Sequence, residues 1–370
     1  MNFEFSDEQE MLRDHARRFL TENEAVRRAR DVLEGEQAFD KDLWRQMAEL
    51  GWLGTAISED DGGIGLGYLE LCVIAEELGR SLAPVPFAST IYLAAEVISQ
   101  MGSDAQRKEW LAQIAAGDCI AALALAEQPG PLVEKNISAQ VENGLLSGEK
   151  ISVTDAAITD VLIVAARDGD GVSFYLVPTS DNGVACRAQN VIDPSRPQYQ
   201  VIFSGSKAEK LAGADNAWQT LEAVFDRAAI LMAFEQVGGA TSCLEMAKDY
   251  ALDRYAFGRP IASYQAIKHK LADVYTAIEI ARSNAYYGAW ALSTEAAELP
   301  IAAATARVAG IQAFYQASKE NIQTHGGMGF TWAFDCHLYY RRSKHLALAL
   351  GSERRWKDKL ISELQKKNAA

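Results

Sequence analysis

One stretch constrains the fold of this chain more than any other, and it runs from Phe225 to Gln265. Its first part carries apolar side chains at the spacing of one helix face, and Gly258 and Pro260 then interrupt that pattern. The spacing predicts a long helix with a buried face. Arg254 stands at the predicted end of this helix, where a guanidinium fork beside a glycine turn suits phosphate recognition. A surface arginine on an ordinary helix has the same local sequence, so this motif alone leaves both interpretations open.

Length and charge narrow the possible classes of function. A chain of 370 residues is long enough for two or three domains with a large core. A net charge of -14 argues against nucleic acid or an anionic membrane surface as a partner. No apolar stretch reaches the length of a membrane span, and the five cysteines lack the spacing of a metal site. We therefore expect a cytoplasmic protein with no membrane span, no nucleic-acid partner and no metal.

The period of the apolar residues changes twice along the chain. Helical patterns come first, with capping boxes at Ser6 with Gln9 and at Ser103 with Gln106. Short strand-forming runs separated by Gly, Asp, Asn and Pro follow, and the helical period then returns. This order predicts an α+β fold with three domains: an N-terminal α-helical domain (1–118), a middle β-barrel-like domain (119–219) and a C-terminal four-helix bundle (220–370).

Individual elements can be predicted within these segments. In the middle segment, the strand-forming runs are 121–126, 161–166, 173–177 and 200–203. In the last segment, the helical period predicts long helices at 225–255, 263–294, 300–325 and 334–349.

Two motifs in the C-terminal third are specific when they occur together. The first is R-x-x-F-G from Arg254 to Gly258, followed by Gln265, and the second is Q-x-x-G-G-M-G-F-T from Gln323 to Thr331. At this separation they closely resemble the acyl-CoA dehydrogenase family, and the resemblance extends over essentially the whole chain.

The resemblance implies a cofactor, a substrate and partners. Members of this family use FAD to introduce a double bond between Cα and Cβ of an acyl-CoA thioester, with an electron-transfer flavoprotein as acceptor. Each FAD lies across a subunit interface. The neighbouring subunit contacts its pyrophosphate and adenosine, and we call the matching residues the reach-across set: Arg254, Phe257, Gln265, Gln323, Gly326 and Gly327. The subunit that holds the flavin ring contributes a second group, the ring-side set, whose cofactor-contacting members match Thr154 and Ser352.

The position of the catalytic base is the most informative departure from the family. A glutamate must take the α-proton of the thioester, because that proton is only weakly acidic. The residue at the usual position of this glutamate is Leu350, and the residue at its alternative position on the long helix is Ala228. Neither side chain can accept a proton, so we assign no catalytic residue at these positions.

Other departures also fall in the ring-side set. The family's Gly-Ser-Asp is missing from the loop that begins at Ala126, and a frequent tryptophan is replaced by Ser152. The reach-across set is complete. This uneven loss predicts a chain that completes a partner's FAD site while its own is weakened or empty.

Three hypotheses follow for the function. The first is a base-lacking subunit of a heteromeric (α2β2) acyl-CoA dehydrogenase that acts on a bulky acyl group, such as a steroid side chain. The second is a self-sufficient homomeric enzyme with a relocated base, for which Glu235 is the candidate because it lies two helical turns beyond Ala228. A paired carboxylate that stabilises the bundle is the simpler interpretation of Glu235. The third hypothesis is a non-catalytic acyl-CoA-binding or scaffold protein.

Overall fold

The computed structural model describes residues 5–169, 171–212 and 216–369. The chain forms two compact units. A helical unit combines the chain up to Asp31, Tyr68–Ala83 and the chain from Ala229 onward, and a sheet unit combines Val32–Gly67 with Pro84–Ala228. The predicted α+β order of helices, strands and helices is confirmed. The domain boundaries at 118 and 219 stay a prediction.

The helices account for both ends of the chain. They are α1 Asp7–Glu22, α2 Ala25–Glu34, α3 Lys41–Glu49, α4 Tyr68–Ser81, α5 Glu96–Met101, α6 Asp104–Ala116, α7 Ala217–Asp253, α8 Gln265–Ser293, α9 Leu299–His325, α10 Cys336–Leu348 and α11 Glu353–Ala369. Both predicted capping boxes are present, at the starts of α1 and α6. The start of α7 was predicted too late. This helix begins at Ala217 because Leu221 and Val224, both fully buried, extend its apolar stripe toward the N-terminus.

The sheet contains eight strands. They are β1 Ala121–Ala124, β2 Gln140–Glu142, β3 Leu145–Thr154, β4 Val161–Asp168, β5 Gly171–Pro178, β6 Val184–Gln189, β7 Gln198–Lys207 and β8 Glu209–Lys210. Their hydrogen-bonded order is β6-β7-β3-β2-β4-β5-β8, with β1 pairing with β4 in parallel. Three of the four predicted runs lie within β4, β5 and β7, whereas the run 121–126 extends two residues past the end of β1. The strand-forming runs did not include β2, β3, β6 and β8. In β6 most side chains are exposed, so no apolar alternation marks the strand.

Helices α4 and α7 cross at two glycines in the helical unit. A Cβ atom on Gly79 would stand 1.9 Å from the carbonyl oxygen of Glu235, and one on Gly238 would stand 1.8 Å from that of Glu76. Only glycine permits so close an approach of two backbones. This crossing fixes the position of the Glu235 backbone on α7 relative to α4.

Candidate functional site

The R-x-x-F-G motif forms a β-hairpin directly after α7. Strands β9 (Tyr255–Ala256) and β10 (Arg259–Pro260) pair, and Phe257 and Gly258 make the turn with φ of 52° and 79°. Positive φ at both central residues is the signature of a type I′ hairpin turn, which glycine accepts readily and phenylalanine does not. The strain at Phe257 is therefore held in place by the surrounding hairpin.

Two hydrogen bonds fix this hairpin to the helices on either side. The backbone N–H of Arg254 donates to the carbonyl of Tyr250 at 2.9 Å, which continues α7 by one residue. The Tyr264 hydroxyl donates to the carbonyl of Ala256 at 2.9 Å, just before α8 begins. The hairpin is thus a rigid extension of the helical unit.

The side chains of this motif face solvent. Phe257 is 98% exposed, which is the extreme value among the large apolar side chains described. Arg254 and Gln265 are exposed as well, and neither side chain has a hydrogen-bond or ion-pair partner among the residues described. An exposed aromatic ring beside unpaired polar groups is typical of a binding surface rather than of a folded core.

The second motif forms the turn at the end of α9. Gly326 has φ of 60° and ψ of -137°, a conformation open essentially only to glycine. Gly327 needs no positive φ, and a Cβ atom on it would meet nothing within 4 Å. Glycine at position 327 is therefore required neither by its backbone angle nor by crowding from the described neighbours. The open space above this turn allows close approach of a molecule from outside the chain.

Aromatic packing brings the two motifs together. His325 stacks on Tyr250 with ring centroids 4.1 Å apart, joining the ends of α9 and α7. Its Nδ1 lies 2.9 Å from the carbonyl oxygen of Asn321, and burial lowers the pKa of His325, so the ring is a neutral packing group. Gln323, two residues earlier, is exposed and has no side-chain partner among the described residues. The contact between His325 and Tyr250 therefore brings together the ends of α7 and α9, which the two motifs follow.

The end of β3 carries the ring-side residues of the sheet unit. The pairing of β3 with β7 shifts between Lys150 and Val153, which marks a β-bulge. Ser152 lies in this bulge with φ of 54°, and its N–H donates to Oε1 of Gln189 at 2.8 Å. Thr154 is half-buried at the last position of the strand, and its hydroxyl has no partner within the described chain.

The neighbouring loop is held by a buried ion pair. Glu127 accepts hydrogen bonds from Lys150 Nζ at 2.7 Å, from Ser138 and from the Ala139 N–H at 3.0 Å. Burial raises the pKa of Glu127, but these hydrogen bonds outweigh it and hold the pKa below its ordinary value. The loop that begins at Ala126 is thereby fixed by contacts within the sheet unit.

A second buried ion pair follows Thr154. The Asp155 carboxylate, 2% exposed, accepts from Arg196 at 2.9 Å and from the Ser89 hydroxyl at 2.6 Å. The charged groups at this end of β3 are therefore already satisfied by the protein itself.

Both positions matching the family's base are buried hydrocarbon. Ala228 is fully buried on α7, and Leu350, 2% exposed, follows α10. The Leu350 carbonyl accepts from Trp356 Nε1 at 3.2 Å, which ties this segment to α11. Ser352 caps α11 by accepting from the Arg355 N–H at 3.4 Å. Its predicted contact with the cofactor stays a prediction.

Glu235 lies in a buried group of arginines. It is 4% exposed, and its Oε1 is 3.8 Å from Nη1 of Arg342. Burial lowers the pKa of the fully buried Arg307 to about 9, and the charge of Glu235 opposes that shift. Arg307 also donates to Gln236 at 2.8 Å and to the Leu346 carbonyl. The structure therefore shows Glu235 as a buried carboxylate paired with an arginine of the helical unit.

Sequence reasoning missed several residues that shape these sites. Lys150, Gln189 and the two arginines around Glu235 were not singled out. Lysine and arginine are rarely fully buried, so composition and periodicity alone place them at the surface.

Comparisons with known proteins match this chain to one family at both ends. Residues 6–118 match the family model of the acyl-CoA dehydrogenase N-terminal domain, and residues 217–359 match that of the C-terminal domain. The acyl-CoA dehydrogenase IpdE2 of Mycobacterium tuberculosis is 30% identical over 361 residues, covering 97% of this chain and 98% of that relative.

Solved structures agree in fold. The Tcur3481-Tcur3483 steroid ACAD, in a variant form, is 29% identical with a TM-score of 0.88, covering 98% of this chain and 99% of that one. The ChsE4-ChsE5 complex from Mycobacterium tuberculosis contains a chain 26% identical with a TM-score of 0.89, and 99% of each chain is covered. Among the residues described, none of the helices combines the length and hydrophobicity that a membrane crossing requires.

Proposed function

Because this chain belongs to the acyl-CoA dehydrogenase family of FAD-dependent oxidoreductases, we propose that it is the base-lacking subunit of a heteromeric member of that family. In this assignment the chain supplies the reach-across set to a partner's FAD site. The single observation that carries the proposal is the contrast at its two motif regions. Arg254, Gln265 and Gln323 have no partners among the described residues, whereas the residue at the base position is the buried Leu350.

The chemistry of the reaction explains why the base matters. FAD, when bound, accepts the hydride that leaves Cβ of the acyl thioester. The protein must hold a carboxylate against the α-proton in a site closed to water. The hydrocarbon side chains of Leu350 and Ala228 cannot take that proton. A second subunit must therefore supply the carboxylate that does.

The reach-across residues fit the phosphate-bearing half of FAD. Arg254 offers a guanidinium fork for a phosphate oxygen pair, and its exposure leaves all its donors available. Gly326 and Gly327 present backbone with open space above it. Phe257 offers a large apolar contact at the tip of a rigid hairpin. These features support binding of a dinucleotide that is held mainly by another subunit.

The homomeric alternative depends on Glu235, and the surroundings of that residue disfavour it. Glu235 is paired with Arg342 and lies near Arg307 in a closed part of the helical unit. A base must come within hydrogen-bond distance of the proton that it removes. A carboxylate that is 4% exposed and paired with an arginine does not offer that access.

The relatives suggest a class of substrate. The solved steroid ACAD and the ChsE4-ChsE5 complex are both similar to this chain over nearly its whole length. We therefore assign the chain a bulky acyl-CoA, such as one with a steroid side chain, and a second family member as its partner in an α2β2 assembly. An electron-transfer flavoprotein is the proposed acceptor. Five free cysteines support a reducing compartment such as the cytoplasm.

Reconstitution tests this proposal. The chain is purified alone and together with a family member that carries glutamate at either base position, and turnover of a steroid acyl-CoA is measured for each. We expect the isolated chain to turn over ~10²–10⁴-fold more slowly than the pair, which is the usual contribution of a positioned base. Comparable turnover by the isolated chain would exclude the proposal. No turnover by any pair would favour the scaffold hypothesis.

A further inference from the structure

The β3 bulge contains a backbone donor that the sheet does not use. Between Lys150 and Val153 the strand advances three residues, while β7 advances two, from Val201 to Tyr199. The extra residue is left out of the β3–β7 pairing. The neighbouring N–H groups have partners of their own: Ile151 donates to Ala126 at 2.7 Å, and Asp155 donates to Pro197 at 2.9 Å.

The N–H outside the ladder belongs to Ser152. It donates a hydrogen bond to the side chain of Gln189, which lies on another strand. Gln189 is the last residue of β6, and β7 lies between β6 and β3 in the sheet. Two strand spacings amount to roughly 10 Å, so this contact needs both a long side chain and a bulge that brings the N–H forward. The Gln189 amide oxygen then accepts from Ser152 at 2.8 Å.

This hydrogen bond lies beside the residue expected to contact a flavin ring. Thr154 is two residues beyond Ser152 at the end of the same strand, and its hydroxyl has no partner in the described chain. A planar ligand with carbonyl oxygens, placed along this strand end, would compete with Gln189 for the Ser152 N–H. The Ile151 N–H is already bonded to the loop residue Ala126, and the Asp155 N–H is bonded to Pro197.

We propose that Gln189 closes the ring side of this chain's own flavin site by occupying the Ser152 N–H. The inference rests on the proposed function, in which the chain's own FAD site is weakened. It attributes part of that weakening to the hydrogen bond between Gln189 and Ser152, which a substitution can remove. Closure here is local and reversible, because an exposed hydrogen bond between neutral groups contributes only modestly to stability.

The experiment measures FAD binding by the isolated full-length chain, both by quenching of flavin fluorescence and by FAD retained on gel filtration. Gln189→Ala should tighten the apparent Kd for FAD about fivefold, the value of one hydrogen bond transferred to the ligand. Gln189→Glu keeps an acceptor at the same place and should bind no better than the unmodified chain. Adding Thr154→Val to Gln189→Ala should remove the gain, because it takes away the other ring-side contact.

Gln200→Ala is the matched control. Gln200 on β7 also donates to a side chain of β3, Glu149, but makes no described contact with Ser152. It should leave FAD binding unchanged. The proposal is overturned if Gln189→Ala binds FAD no more tightly, if Gln200→Ala produces the same gain, or if Thr154→Val leaves the gain intact. Turnover by the isolated chain, which tests the proposed function, is a separate measurement, so the two failures can be told apart.

Discussion

The reach-across set and the ring-side region differ in what their polar groups already contact. Arg254, Gln265 and Gln323 make no side-chain contacts with the described chain. At the end of β3, by contrast, Lys150 is bound to Glu127 and Asp155 is bound to Arg196. This contrast supports the proposal that the chain binds a ligand through the reach-across set.

Burial shows the same difference. The hairpin tip at Phe257 is 98% exposed, whereas the residue at the base position, Leu350, is 2% exposed. Folding alone does not explain an exposed aromatic ring with strained backbone, because a smaller residue would form the turn at lower cost. Partner binding does explain it. The comparison therefore supports the proposal that the two regions serve different FAD sites.

Glu235 provides the most severe test of this comparison. If Glu235 acted as a catalytic base, the chain would have a base of its own and would not need one from a partner. We expect Glu235→Ala to lower the free energy of unfolding by about 3–5 kcal/mol, since it removes the carboxylate partner of the buried Arg342. Chemical denaturation of the purified chain measures this loss.

Glu235→Gln serves as the conservative control, because it keeps the shape and one acceptor. The reconstituted pair containing Glu235→Gln should retain its turnover. Loss of turnover from this variant in a folded pair would reassign Glu235 as the base and restore the homomeric hypothesis.

Arg254→Ala should produce the next largest effect. Loss of a charge-assisted contact with phosphate is worth ~1.5–3 kcal/mol, so FAD retention by the pair should fall roughly 10- to 100-fold. Arg254→Lys should recover only part of this loss, because an ammonium cannot donate as a planar fork. Equilibrium dialysis of the pair against FAD measures both. Unchanged retention in Arg254→Ala would mean that the exposed motif serves another purpose.

Thr154→Val should have the smallest effect. It keeps the volume of the side chain and removes a hydroxyl that has no partner in the described chain, so FAD retention by the pair should change less than about twofold. The same dialysis experiment applies. A large loss of flavin here, with little loss in Arg254→Ala, would reverse the assignment of the two regions.

Part of the difference between the reach-across set and the ring-side region could be predicted from the sequence, and part could not. The two motifs and both capping boxes are local patterns, so the residues of the R-x-x-F-G motif, the glycine turn and the starts of α1 and α6 were identifiable. Glu235 is different, because its partners on α9 and α10 lie about 70 or more residues away and no local pattern links them. The closure of Ser152 by Gln189 depends on a bulge and on strand order, which periodicity does not encode.

The central claim is that this chain completes a partner's flavin site and does not fill its own. Its most direct test is the number of FAD molecules per αβ pair, obtained from flavin absorbance after denaturation together with the protein concentration of the purified complex. The account predicts one FAD per pair. Two tightly bound FAD molecules per pair would contradict it.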